Sequence, residues 1–141
     1  MGTDVSGGFS TSILQAIRDA SIAAKVIAMQ SKGSSRTSAT QFAQRQLSIA
    51  TLLYLATLGG AQVCCLEDQV GSFTVGKSFD ALLVDTRNLQ GSPCFWGSDA
   101  IVGGKNKDTF HEMLERFLFC GDDRNISKVF VQGRLIGGST R

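Results

Sequence analysis

Apolar residues recur at helical intervals in the first half of the chain. Ile13, Ile17, Ala20, Ala24 and Ile27 follow one another at such spacing, Leu14 widens the stripe, and Arg18, Asp19 and Lys25 fall largely off it. This pattern predicts an amphipathic helix ending near Gln30. Just ahead of it, Ser12-Ile-Leu-Gln15 matches a capping box, in which the serine hydroxyl and the glutamine side chain each satisfy a free backbone N–H. A second helix is predicted from about Ser48 through Leu52, Leu53, Leu55 and Ala56, with Gly59-Gly60 permitting a sharp change of direction before a short helical turn reaches Leu66. Residues 31–40 are rich in Ser, Gly and Thr and read as a surface loop; a separate short helix is predicted over 39–46.

After Glu67 the period changes. Val70-Gly-Ser-Phe-Thr-Val-Gly76 alternates between bounding glycines and predicts a β segment, and Ala81-Leu-Leu-Val84 is a short apolar run of buried-strand type. Residues 88–107 hold the only Pro and the only Trp and read as a long loop. Phe110, Met113, Leu114, Phe117 and Leu118 mark a third helix. Lys128-Val-Phe-Val131 and Arg134-Leu-Ile136 flank Gln132-Gly133 as the arms of a hairpin with a tight turn. Taken alone, the order of elements is that of an α+β chain, and no internal repeat is visible.

Composition narrows the function classes. The chain has 141 residues, enough to bury a core, with 14 Lys and Arg against 12 Asp and Glu. The basic residues are scattered singly, without a run that would track a phosphate backbone, so nucleic acid is not an expected partner. No stretch approaches the roughly 20 apolar residues that cross a bilayer, and the N-terminus lacks the layout of a secretory signal. No membrane association is expected, and the reading is intracellular. The four cysteines, Cys64, Cys65, Cys94 and Cys120, form no C-x-x-C pair with the single histidine, His111. They are expected to be reduced and mostly buried.

Three segments carry candidate chemistry. In Gly2-Thr-Asp-Val-Ser-Gly-Gly8 a carboxylate, Asp4, sits in a loop whose glycines let backbone or ligand approach closely, which suits a metal ligand or a general base. An Asp just before a helix is also a common cap or solvated loop residue. The polar, glycine-rich opening reads as the exit from a strand that this chain does not contain. Around Lys77 and Asp80 the glycine spacing fits no phosphate-cradling motif, and both read as turn residues. Gly121-Asp-Asp-Arg-Asn125 sets two carboxylates beside an arginine, compatible with acid–base chemistry or with turn residues and an internal ion pair. His111 reads as a surface residue on the polar edge of its helix.

Together these segments resemble the C-terminal part of guanine deaminases of the amidohydrolase superfamily, in the same order and over nearly the whole chain. The resemblance is carried by Gly2-Thr-Asp-Val-Ser-Gly-Gly8 with Ile13-Leu-Gln-Ala-Ile-Arg18, by Ala56-Thr-Leu-Gly-Gly-Ala61, by Val70-Gly-Ser-Phe-Thr-Val-Gly-Lys77 with Phe79-Asp-Ala81, and by Phe117-Leu-Phe-Cys-Gly-Asp-Asp-Arg-Asn-Ile126. The first and last pieces discriminate guanine deaminases from their relatives. The fold it implies is α/β: the C-terminal piece of a (β/α)8 barrel over residues 1–66, comprising the last strand end and the terminal helices, and the C-terminal strands of a small β-sandwich over 67–141, with a returning helix at about 108–119.

In such enzymes one zinc ion polarises a water to hydroxide, which attacks the purine carbon bearing the amine, so that guanine becomes xanthine and ammonia leaves. The resemblance makes Asp4 the metal ligand after the eighth strand and the acceptor of the water proton, hence both the catalytic and the metal-binding residue. It also implies a cytoplasmic homodimer. The family's zinc histidines, acid–base glutamate and guanine-reading residues have no counterpart here, and a catalytic zinc takes three or more protein ligands. The chain alone is therefore expected to be inactive, a fragment whose remaining ligands lie upstream. Two other readings stay open: a non-catalytic truncated form acting as an interaction module, and a piece of an amidohydrolase acting on another aminated heterocycle.

Overall fold

A computed structural model describes residues 1–30, 43–85 and 110–138. Its elements are α1 (Ile13–Gln30), α2 (Ile49–Ala56), α3 (Leu58–Val63), β1 (Ala81–Val84), α4 (Phe110–Cys120), a 3-10 turn (Asp123–Asn125), β2 (Ile126–Val131) and β3 (Arg134–Gly138). The chain divides into two compact units, Met1–Cys64 and Cys65–Arg141. The loops expected at 31–40 and 88–107, and residues 39–42 of the expected short helix, lie outside the described residues; Ala43 and Gln44 are helical.

In the first unit α1 begins where the sequence indicates. Ser12 Oγ accepts the Gln15 N–H at 3.3 Å, which satisfies one of the free donors of the first turn. The other half of the expected box does not form, because the Ser12 N–H goes to Ser10 Oγ at 3.1 Å and the Gln15 side chain reaches forward to Asp19 Oδ1 at 2.9 Å. The buried line on α1 is Ile17, Ser21 and Ala28. It departs from the expected stripe at both ends, where Ile13 is 41% and Ile27 67% exposed. Ser21 and Ala28 are small, so the face that α1 turns inward is chosen partly by close approach rather than by apolar bulk alone.

Helix α2 starts at Ser48, whose Oγ accepts the Thr51 N–H at 3.1 Å. Leu52, fully buried, anchors it. The change of direction falls at Thr57, with φ −123° and ψ −99°, and not at Gly59-Gly60, which lie inside α3. Thr57 bridges the break: its hydroxyl donates to the Leu53 carbonyl at 2.7 Å, and its own carbonyl accepts from Ala61 N–H at 3.0 Å. Gly59 is needed for packing instead of bending, since a Cβ there would lie 3.0 Å from Tyr54 Cε1 and 3.1 Å from Tyr54 O.

The second unit holds an antiparallel sheet in the order β1-β2-β3. The hairpin turn is the expected Gln132-Gly133, both residues at positive φ (50° and 75°), with Val131 facing Arg134. That is the left-handed pair a two-residue hairpin requires. Ser127 on β2 and Ile136 on β3 are each skipped by the pairing register, so each strand carries one bulged residue. Phe79 stacks at a tilt between Phe73, 5.9 Å away, and Phe130, 5.5 Å away.

Residues 70–76 form no strand; they run as bends and turns. Gly71 and Gly76 adopt positive φ (87° and 98°), and Val75 is fully exposed. The glycines bounding this segment bend it out of the extended region, and among the described residues it pairs with no strand on which alternation would have meaning.

Candidate functional site

Asp4 lies in the loop that leads into α1. Its backbone is left-handed, φ 48°, and Ser6 follows at φ 94°. The Asp4 carbonyl accepts the N–H of Gly7 at 2.9 Å and that of Gly8, so residues 4–8 close into a tight turn, with a single bridge between Val5 and Gly8. Left-handed backbone is tolerated by Asp better than by most residues. The carboxylate is exposed and lies over Gly7.

Beside this turn opens a cleft of about 350 Å³, walled by residues 1–3 and 8–10 of the loop and by Ser12, Ala16, Asp19 and Ala20 at the start of α1. Its polar side chains are Thr3, Ser10, Ser12 and Asp19. Sequence inspection passed over it, although the Ser10-Thr-Ser12 run that supplies two of its hydroxyls is visible there. Asp4 is not one of the lining residues.

Among the described residues no three His, Cys, Asp or Glu side chains come together in a way that could hold a metal ion. The described residues therefore do not by themselves make a zinc site, for which three or more protein ligands are typical. His111 is exposed on α4.

The acidic pair near the end of α4 is turn chemistry. Asp122 caps the 3-10 turn in a capping box with Asn125: Asp122 Oδ1 accepts the Arg124 N–H at 3.0 Å, and Asn125 Oδ1 accepts the Asp122 N–H at 3.1 Å. The Arg124 guanidinium closes on Asp122 at 2.6 Å. Asn125 is completely buried. Its importance was missed in the sequence, though Asp122 and Asn125 stand at the spacing a capping box uses.

Lys77 and Asp80 serve the backbone of their own unit. Lys77 Nζ donates to the Glu67 carbonyl, and Asp80 Oδ1 accepts the Gln132 N–H of the hairpin turn at 2.7 Å. The cysteines correct an expectation: Cys64, Cys65 and Cys120 are free but exposed, not buried. Cys64 and Cys65 follow the last turn of α3 and Cys120 closes α4, positions where a helix end leaves side chains in solvent; Cys94 lies outside the described residues. Among the described residues no helix is long and apolar enough to cross a membrane.

A Schizosaccharomyces pombe protein named as a probable guanine deaminase is 41% identical over 138 residues, which cover 98% of this chain and 23% of that protein. The crystal structure of guanine deaminase from Bradyrhizobium japonicum superposes with a TM-score of 0.78 at 25% identity, over 99% of this chain and 31% of the other. A crystal structure of an adenosine deaminase from Xanthomonas campestris with bound zinc matches with a TM-score of 0.60 at 25% identity, over 89% of this chain and 22% of that one. The chain thus spans about a quarter of the length of the curated relatives it matches. The model of the amidohydrolase family matches residues 1–136, and the chain belongs to the amidohydrolase family.

Proposed function

We propose that this chain is part of a guanine deaminase, an enzyme that hydrolyses guanine to xanthine and ammonia. The observation that carries the reading is its similarity to guanine deaminases from end to end, 41% identity over 98% of the chain. In this reading residues 1–66 belong to the C-terminal end of a (β/α)8 barrel and 67–141 to a small β-sandwich. Asp4 is the carboxylate at the metal site, held in the turn that follows a barrel strand, where this fold keeps its chemistry. The cofactor would be zinc, for which the zinc-bound adenosine deaminase is the nearest support. No step through the metal is drawn from this chain, whose own contribution is one carboxylate.

The test is ammonia release by the natural protein that contains this chain, with guanine, adenine and cytosine compared. Guanine is expected to be the preferred substrate; preference for either of the others would overturn the reading. Asp4→Asn is expected to lower turnover by more than about 100-fold, the upper end of what losing even an outer-shell partner of a metal ligand costs. Full turnover in that variant would remove Asp4 from the mechanism.

A further inference from the structure

Gly2, Gly7 and Gly8, around Asp4, have different surroundings. A Cβ on Gly7 would lie 2.6 Å from Asp4 Oδ2, 3.3 Å from its Cγ and 3.5 Å from Oδ1, so its nearest neighbours all belong to one carboxylate. A Cβ on Gly8 would meet backbone, with the Thr3 carbonyl oxygen at 2.2 Å and the Asp4 carbonyl oxygen at 3.0 Å. Gly2 has nothing within 4 Å. Gly7 is not among the residues at positive φ. Its backbone conformation therefore does not call for glycine; the space taken by the Asp4 carboxylate does.

The Asp4 backbone has little room to answer a side chain at position 7, because its carbonyl holds the N–H groups of both Gly7 and Gly8. What can move is the Asp4 side chain, by rotation about χ1 into another staggered well. We propose that Gly7 is a positioning residue for the Asp4 carboxylate: the absent side chain leaves the space that Oδ2 occupies and so selects the rotamer in which the carboxylate is presented. Gly8, by contrast, keeps the backbone turn itself. The inference rests on the reading of Asp4 as the functional carboxylate.

The test is nuclear magnetic resonance of the 141-residue chain, following the Asp4 carboxyl carbon and the couplings that report its χ1, together with the thermal midpoint. Gly7→Ala is expected to shift the carboxyl signal and change the χ1 well while leaving the amide signals of α1 and α2 and the midpoint unchanged. Gly8→Ala is expected to disturb the loop amides and lower the midpoint, and Gly2→Ala to change neither. An unchanged Asp4 signal in Gly7→Ala, or an equal change in Gly2→Ala, overturns the proposal. Should Gly7→Ala disturb the whole loop, the pair Asp4→Ala and Asp4→Ala/Gly7→Ala decides. With the carboxylate gone, alanine at position 7 should add no further disturbance, and a persistent one overturns the idea. None of these readouts involves turnover. An Asp4→Asn enzyme that still releases ammonia, beside a Gly7→Ala chain whose carboxylate has moved, would sink the functional reading and leave the positioning role standing.

Discussion

Asn125 and Asp85 hold each other by two hydrogen bonds across 40 residues of sequence: the Asp85 N–H donates to the Asn125 carbonyl at 2.8 Å, and the Asn125 side-chain amide donates to the Asp85 carbonyl at 3.3 Å. The same side chain's oxygen takes the Asp122 N–H, so one buried amide closes the end of β1, the 3-10 turn and the start of β2. Asn125→Ala leaves two backbone groups without this partner in a site that is 0% exposed. A loss of about 2 kcal/mol is expected, within the usual cost of orphaned buried groups. Urea denaturation of the 141-residue chain measures it, and a change below about 0.5 kcal/mol, typical of surface positions, would show that the clasp contributes little.

Leu52 is a fully buried apolar side chain of the helical unit. Leu52→Ala is expected to cost about 2–5 kcal/mol, from lost transfer free energy and the cavity left behind. Ile27→Ala, on the exposed side of α1, should stay within about 0.5 kcal/mol. A loss above about 1 kcal/mol for Ile27→Ala, beyond what surface positions show, would mean that the inward face of α1 has been assigned wrongly.

Ser48 begins α2 by accepting the Thr51 N–H. Replacing it with alanine removes that acceptor, at a cost of about 1 kcal/mol, whereas aspartate retains it. Circular dichroism of the two variants through a thermal scan separates them; indistinguishable curves would argue that the cap is unused.

The hairpin turn offers a change in both directions. Gln132 and Gly133 are left-handed, and asparagine followed by glycine suits such a turn best. Gln132→Asn is expected to raise the melting temperature. Gly133→Ala should destabilise by about 1 kcal/mol, the order of penalty for a Cβ in the left-handed region.

Exposure of Cys64, Cys65 and Cys120 has a direct assay. An aromatic disulfide reagent that reports thiols by colour should titrate at least three per chain without denaturant. Fewer than three fast-reacting thiols would show that the native protein covers them.

The helices and the closing hairpin were legible because their cues are local. Ser12 and Ser48 mark helix starts, Ile17 marks the packed face of α1, and Gln132-Gly133 marks a turn. Where the outcome depends on a neighbour, local pattern failed. Residues 70–76 alternate like a strand, yet among the described residues they pair with no strand and their glycines turn. The pair Gly59-Gly60 looked like a bend, but Gly59 answers to the Tyr54 ring, a contact that composition does not show. The tight turn around Asp4 could be anticipated from its glycines, Gly7 and Gly8. That a Cβ on Gly7 would meet the Asp4 carboxylate depends on where side-chain atoms lie, and no spacing rule reports that.

Ile136 gives the outer strand a consequence beyond this sheet. Among the described residues β3 lies at the edge of its sheet, with Leu135 and Ile136 exposed, the kind of strand that invites another molecule to add to it. Because Ile136 is bulged out of register, the edge does not offer an unbroken row of donors and acceptors. The extra residue therefore breaks the even ladder that strand-by-strand addition along β3 would need.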